Sequence, residues 1–166
     1  MLDIVGSVFS RVSTGRRTGG AATWIRHNAP VLSREQRDPV TVAELLAAAR
    51  AQLSRLAPAD ALAATRAGAA LIDIRPVDQR DRDGLLPGAH VIARNALEWR
   101  LDPRCEHRNP VVADGDRQVI VICDEGYQSS LAAATLRRFG LDATDVVGGV
   151  QAWRAEGLPL TRSAER

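Results

Sequence analysis

The sequence predicts an α/β domain, a mainly parallel central sheet with helices on both faces, preceded by an N-terminal extension. Three observations carry this. Apolar runs of strand length alternate with helical segments from Thr41 onward. The run Val119-Ile120-Val121-Ile122 is continuously apolar, as a parallel strand covered on both faces requires. At 166 residues, 45% hydrophobic and 25% charged, the chain can bury one ordinary core with residues to spare.

Thr41-Val42-Ala43-Glu44 has the form of a capping box and opens an alanine-rich helix through Leu53. Pro58 suits the first turn of a second helix, 59–67, which Gly68 closes. Ala70 to Ile74 reads as a strand, Asp81 to Gly88 as turns, and Ala89 to Ile92 as a second short strand. An arginine-rich loop then leads to the strand Gln118 to Ile122. A helix follows over 129–139, ended by Gly140, then a strand over 144–147 and a helix over 149–156.

Residues 1–40 differ from the rest. They carry six arginines against Asp3, Glu35 and Asp38, whereas residues 41–166 carry 16 arginines against 17 acids. The basic charge thus belongs to the extension, which is expected to be mobile, with a short amphipathic helix over 2–12. Its acid-free run from Ile4 to Arg34 superficially resembles a transit peptide. The body lacks the clustered basic charge that nucleic-acid binding needs, so no nucleic-acid partner is expected. No apolar stretch reaches membrane-spanning length, and two cysteines do not make a disulfide framework. The expected compartment is the cytoplasm, with no membrane association.

Cys123 directly follows the most apolar strand and precedes a helix. In a parallel α/β sheet that is the ligand-binding edge. Curled backbone N–H groups and a helix N-terminus there both favour a thiolate, the reactive form of cysteine. Ser129 and Ser130 can cap the helix or bond the sulfur. Arg94 and Arg100, after the second strand, are candidates to meet an anionic substrate. Cys105 lies near His107, too few ligands for a zinc site, and no metal is expected. A resolving-thiol role for Cys105 stays open.

Leu71-Ile72-Asp73-Ile74-Arg75, Gly84-Leu85-Leu86-Pro87-Gly88-Ala89, Cys123-Asp124-Glu125-Gly126-Tyr127-Gln128-Ser129, and Gly148-Gly149 with Trp153, Gly157 and Pro159 together resemble the rhodanese domain. The resemblance covers residues 55–160, with 41–54 as a leading helix and 161–166 as a tail. It implies a three-layer sulfurtransferase domain that needs no cofactor. Cys123 would carry sulfane sulfur as a persulfide, in a loop of the cysteine plus five residues, Cys123 to Gln128. The implied partners are a small sulfur donor (thiosulfate, polysulfide or a persulfide) and a cyanide, protein or low-molecular-weight thiol acceptor. Asp73 and Arg75 match a structural ion-pair motif, and Trp153 a packing position.

Two features depart from the family pattern. Many members have arginine where Gln128 stands, and some have basic residues where this chain has Asp124 and Glu125. Each carboxylate is expected to disfavour a nearby anion by about 1 kcal/mol. A non-catalytic interaction or sensing module is the alternative reading, though such modules commonly lack the cysteine. A cysteine phosphatase or arsenate reductase needs an arginine six residues after the cysteine, and Ser129 stands there.

Overall fold

The computed structural model describes residues 38–113 and 116–162. The amphipathic helix expected over 2–12, most of the extension and the end of the tail lie outside the described residues. Four strands, β1 (Ala70–Asp73), β2 (His90–Val91), β3 (Val119–Ile122) and β4 (Ala143–Asp145), form one sheet in the order β2-β1-β3-β4, every pair parallel. The helices are α1 (Val42–Arg50), α2 (Pro58–Arg66), α3 (Val77–Asp83), α4 (Leu97–Leu101), α5 (Gln128–Arg137) and α6 (Gly149–Ala155).

Alternation along β1 and β3 builds two cores. Ala70, Ile72, Val119 and Val121 face one side, where they meet Leu97 and Leu101 of α4 and Ala132, Ala133 and Leu136 of α5. Leu71, Ile120 and Ile122 face the other, against Ala61 of α2 and Val150 and Trp153 of α6. Helices therefore cover both faces, which is why β3 reads as unbroken apolar sequence. Trp153 is 1% exposed, and its indole N–H donates to the Pro159 carbonyl at 3.0 Å, so its one polar atom is satisfied where it packs.

The capping box forms as written: the Glu44 N–H donates to Thr41 Oγ1 at 3.2 Å and the Thr41 N–H to Glu44 Oε2 at 2.8 Å. The structure corrects two segments. The turns expected at 81–88 begin inside α3, and the arginine-rich loop contains a 3-10 turn (Arg94–Ala96) and α4. Val77 to Asp83 carries no apolar stripe that could announce a helix. Ion pairs hold it instead: the Asp83 side chain, 1% exposed, accepts from Arg82 at 2.6 Å and from Arg154 of α6 at 2.9 Å. Gln151 adds a bond at 3.2 Å.

The Arg82 hydrogen bond, with the charges of Arg82 and Arg154 and the Gln151 bond, holds the Asp83 carboxyl below the ordinary carboxylate range against the opposing effect of burial. A depressed folded-state value stabilises the fold above the unfolded value and loses that contribution as pH falls through the folded one. Both arginines are half in solvent, so the contribution is about 1 kcal/mol. Urea unfolding should therefore show stability falling below about pH 4 in the wild type. In Asp83→Asn the stability at pH 7 should be lower and this part of the acid dependence absent. An unchanged acid limb would assign the effect to other carboxylates.

Candidate active site

Because the strands are parallel, β1, β3 and β4 end at one edge of the sheet and deliver Arg75, Cys123 and Asp145 to it. Chain order reverses between β1 and β3, so the crevice at their ends is a topological switch point. Cys123 sits there, 7% exposed. Its Sγ accepts the Gly126 N–H at 3.2 Å and the Ser129 N–H at 3.4 Å, and as a thiol donates to Ser129 Oγ at 3.2 Å. Helix α5 begins at Gln128 after Tyr127, with no side-chain cap. Ser129 and Ser130 thus do not cap it; the Ser129 backbone N–H, an orphan of the first turn, serves the sulfur instead.

Glycines make this cradle possible. Gly126 has φ +79°, and a Cβ there would lie 2.9 Å from the Gly148 nitrogen and 3.0 Å from the Val146 carbonyl. At the other end of the site, the first turn of α6 donates the Val150 and Gln151 N–H groups to the carbonyls of Cys123 and Asp124 at 2.9 and 3.0 Å. A Cβ on Gly149 would meet the Cys123 carbonyl at 2.4 Å, so the Gly148-Gly149 pair is where helix and loop pass in contact.

Behind the loop lies Asp145, with 0% exposure. Its Oδ2 accepts from Ser129 Oγ at 3.1 Å, Ser130 Oγ at 2.8 Å and Arg55 Nη2 at 3.0 Å, and its Oδ1 from Arg55 Nε at 2.7 Å. Arg50 of α1 donates to the Gly126 carbonyl at 2.9 Å and to Ser130 Oγ at 3.3 Å, while its guanidinium lies 5.5 Å over the Tyr127 ring. Arg55 reaches the same carbonyl at 3.3 Å. Sequence reasoning missed Arg50, Arg55 and Asp145. The available signal was a carboxylate closing a buried strand, which must find a partner; nothing marked Arg55, 90 residues away, as that partner.

A cavity of about 300 Å³ opens over Sγ between Ile74, Arg75 and Pro76 on one side and Cys123, Tyr127 and Gln128 on the other. Asp73 and Arg75 form a buried pair at 2.7 Å, and Arg75 also donates to the Gly84 carbonyl at 2.9 Å. Asp124 is turned toward Arg82, at 3.1 Å, and Gln151, at 2.6 Å, so its charge is already answered. Glu125, Tyr127 and Gln128 are exposed. Arg94 pairs with Glu98 at 2.8 Å and borders a neighbouring cavity. Arg100 donates to the His107 carbonyl at 3.0 Å and borders neither cavity, so it does not join the site. Cys105 is a free thiol beside Trp99 and Phe139, away from Cys123. Among the described residues no cluster of His, Cys, Asp and Glu could hold a metal ion.

Ser129 has one hydroxyl proton. Given to Asp145, it leaves an oxygen lone pair toward the sulfur, which suits the thiol. A thiolate must rely on the two backbone N–H groups or win that proton away from the carboxylate.

The Rhodanese-like domain family model matches residues 57–156. Among solved structures, a protein of unknown function from Rhodopseudomonas palustris, described as a possible tyrosine phosphatase, is 31% identical with a TM-score of 0.68, over 75% of this chain and 97% of that one. The polysulfide-sulfur transferase of Wolinella succinogenes is 27% identical, TM-score 0.60, over 75% and 88%. A rhodanese-related protein of Thermoplasma volcanium, 24% identical, TM-score 0.54, over 66% and 98%, shares the fold. No curated protein matches the chain.

Asp145→Asn should make Cys123 react faster with iodoacetamide at mildly acidic pH. It removes a negative charge, leaves Arg55 uncompensated and frees the Ser129 hydroxyl for the sulfur, three effects of one sign. It should also cost about 3 kcal/mol of stability, since a partly buried pair is broken. A slower alkylation rate across the pH profile would instead make Asp145 a proton acceptor acting through Ser129.

Proposed function

The chain belongs to the rhodanese-like domain family, and we propose that it is a sulfurtransferase that carries sulfane sulfur as a persulfide on Cys123. The carrying observation is the cradle itself, a cysteine sulfur at the floor of an open cavity with two backbone N–H groups directed at it. In the first half-reaction the Cys123 thiolate attacks the outer sulfur of a donor persulfide. The donor's S–S bond breaks, its electron pair leaves with the donor thiolate, and Cys123 keeps the outer sulfur. In the second, an acceptor thiolate attacks that sulfur and the Cys123 thiolate is the leaving group. The Gly126 and Ser129 N–H groups stay bonded to Sγ and stabilise the charge that returns to it in each cycle.

The likeness to a polysulfide-sulfur transferase supports a polysulfide donor. Phosphatase chemistry is poorly served: position 129 is serine, and the two arginines behind the loop are spent on the Gly126 carbonyl and Asp145. Cytoplasmic work fits two free cysteines, and among the described residues no helix is long and apolar enough to cross a membrane.

Incubation with polysulfide followed by mass spectrometry should show an added sulfur atom on Cys123, and none in Cys123→Ser with its circular dichroism unchanged. An adduct that persists in the serine variant would place the chemistry elsewhere. The structure also divides the acidic loop. Asp124 is paired with Arg82, so Glu125 is the uncompensated charge facing a dianionic donor. Glu125→Lys should raise kcat/KM for thiosulfate about tenfold at low salt and less at high salt. Asp124→Asn should change it little. Equal gains from both would mean that the Arg82 pair does not shield the site.

A further inference from the structure

The cavity over Cys123 adjoins a second, open one of about 520 Å³, and the two share Ile74, Arg75, Pro76 and Gln128 as a common wall. The outer groove passes Val77, at the start of α3, and Val91, on β2, which are 47% and 50% exposed. Arg80 and Arg94 line it and no carboxylate does, whereas Asp124 and Glu125 line the inner cavity. The inner cavity is thus acidic beside the sulfur, and the outer groove is apolar and basic.

Building on the persulfide reading above, we propose that this groove seats an extended, cysteine-bearing segment of a partner polypeptide, with apolar and acidic side chains next to its cysteine. Whatever reacts at Sγ must carry its body out of the inner cavity, and the groove continues from it. Two half-exposed valines gain by being covered. A polypeptide fits better than a compact thiol because β2 is an edge strand: among the described residues it pairs only with β1, so its outer edge is open to an extended chain. Arg94 is partly neutralised by Glu98, but among the described residues Arg80 bonds only the Arg75 carbonyl and keeps its charge for an acidic side chain. In the transfer, the partner's cysteine thiolate attacks the outer sulfur of Cys123–S–S⁻. The new S–S bond forms on the partner, the old one breaks, and its electron pair stays on Sγ.

The test loads the full chain with polysulfide, confirms the Cys123 persulfide by mass, and measures kcat/KM toward synthetic acceptors. These are a cysteine peptide followed by valines and then glutamates, the same peptide with serines for valines, free cysteine, and a short alkanethiol. The valine–glutamate peptide should exceed the serine peptide about tenfold. Val77→Asp, which places a carboxylate in a helix first turn where it is tolerated, and Val91→Thr should each remove most of that preference and leave free cysteine unchanged. Arg80→Gln should weaken only peptides bearing glutamate. Equal rates for all acceptors would overturn the groove assignment, and an alkanethiol as fast as the peptide would overturn its polypeptide occupant. Failure of polysulfide to form the Cys123 persulfide would overturn the sulfurtransferase reading itself, a failure visible before any acceptor is added.

Discussion

A carboxylate with no exposure to solvent is the fixed point of this site. Placing Asp145 at the end of β4 costs several kcal/mol of lost hydration unless donors replace the water. Four do, from Arg55, Ser129 and Ser130. Each donor belongs to an element that must then stay where it is: the segment after α1, and the first turn of α5. Arg55 also closes on the Gly126 carbonyl, joined there by Arg50 of α1, which fixes the one loop residue with a left-handed backbone. The cradle around Cys123 is therefore shaped from behind, by a charge network centred on a carboxylate with no exposure.

That network explains which parts of the molecule were legible in the sequence. The four strands, helices α1, α2, α5 and α6 and the position of Cys123 follow from local patterns: apolar runs, a capping box and a cysteine closing the strand at Ile122. Helices α3 and α4 were not legible. Helix α3 has no apolar face and depends on Arg154, 71 residues from Asp83, while α4 is five residues long and anchored only by Leu97 and Leu101. The support of the site was invisible for the same reason. Spacing along the chain reports neighbours in a helix or a strand, and Arg50, Arg55 and Asp145 meet only after the sheet has formed.

The acidic loop shows how a correct residue can carry the wrong weight. In the sequence Asp124 and Glu125 stand side by side and count equally against an anion. In the fold, Asp124 turns to Arg82 of α3 and Gln151 of α6. It acts as a tie between two helices and the start of the loop, while Glu125 faces solvent. A charge that is paired at about 3 Å contributes little field beyond its partner, so the site is less hostile to anions than its composition suggests. Arg94 undergoes a similar change of meaning: its pair with Glu98 leaves it bordering the outer groove, and not the sulfur.

The family match begins at residue 57, yet Arg50 and Arg55 lie before it. The Cys123 loop of this chain is thus buttressed by a segment that lies before the family match. Helix α1 packs on α5, the helix that starts at the loop, and its capping box sets where Arg50 falls relative to Gly126. A 9-residue helix is marginal alone and relies on tertiary contact for its stability. Loss of that contact would remove the Arg50 bond to the Gly126 carbonyl, one side of Ser130 and the cover over Tyr127 together. Geometry at the sulfur and docking of α1 are accordingly one equilibrium: whatever holds α1 down also holds the cradle in shape.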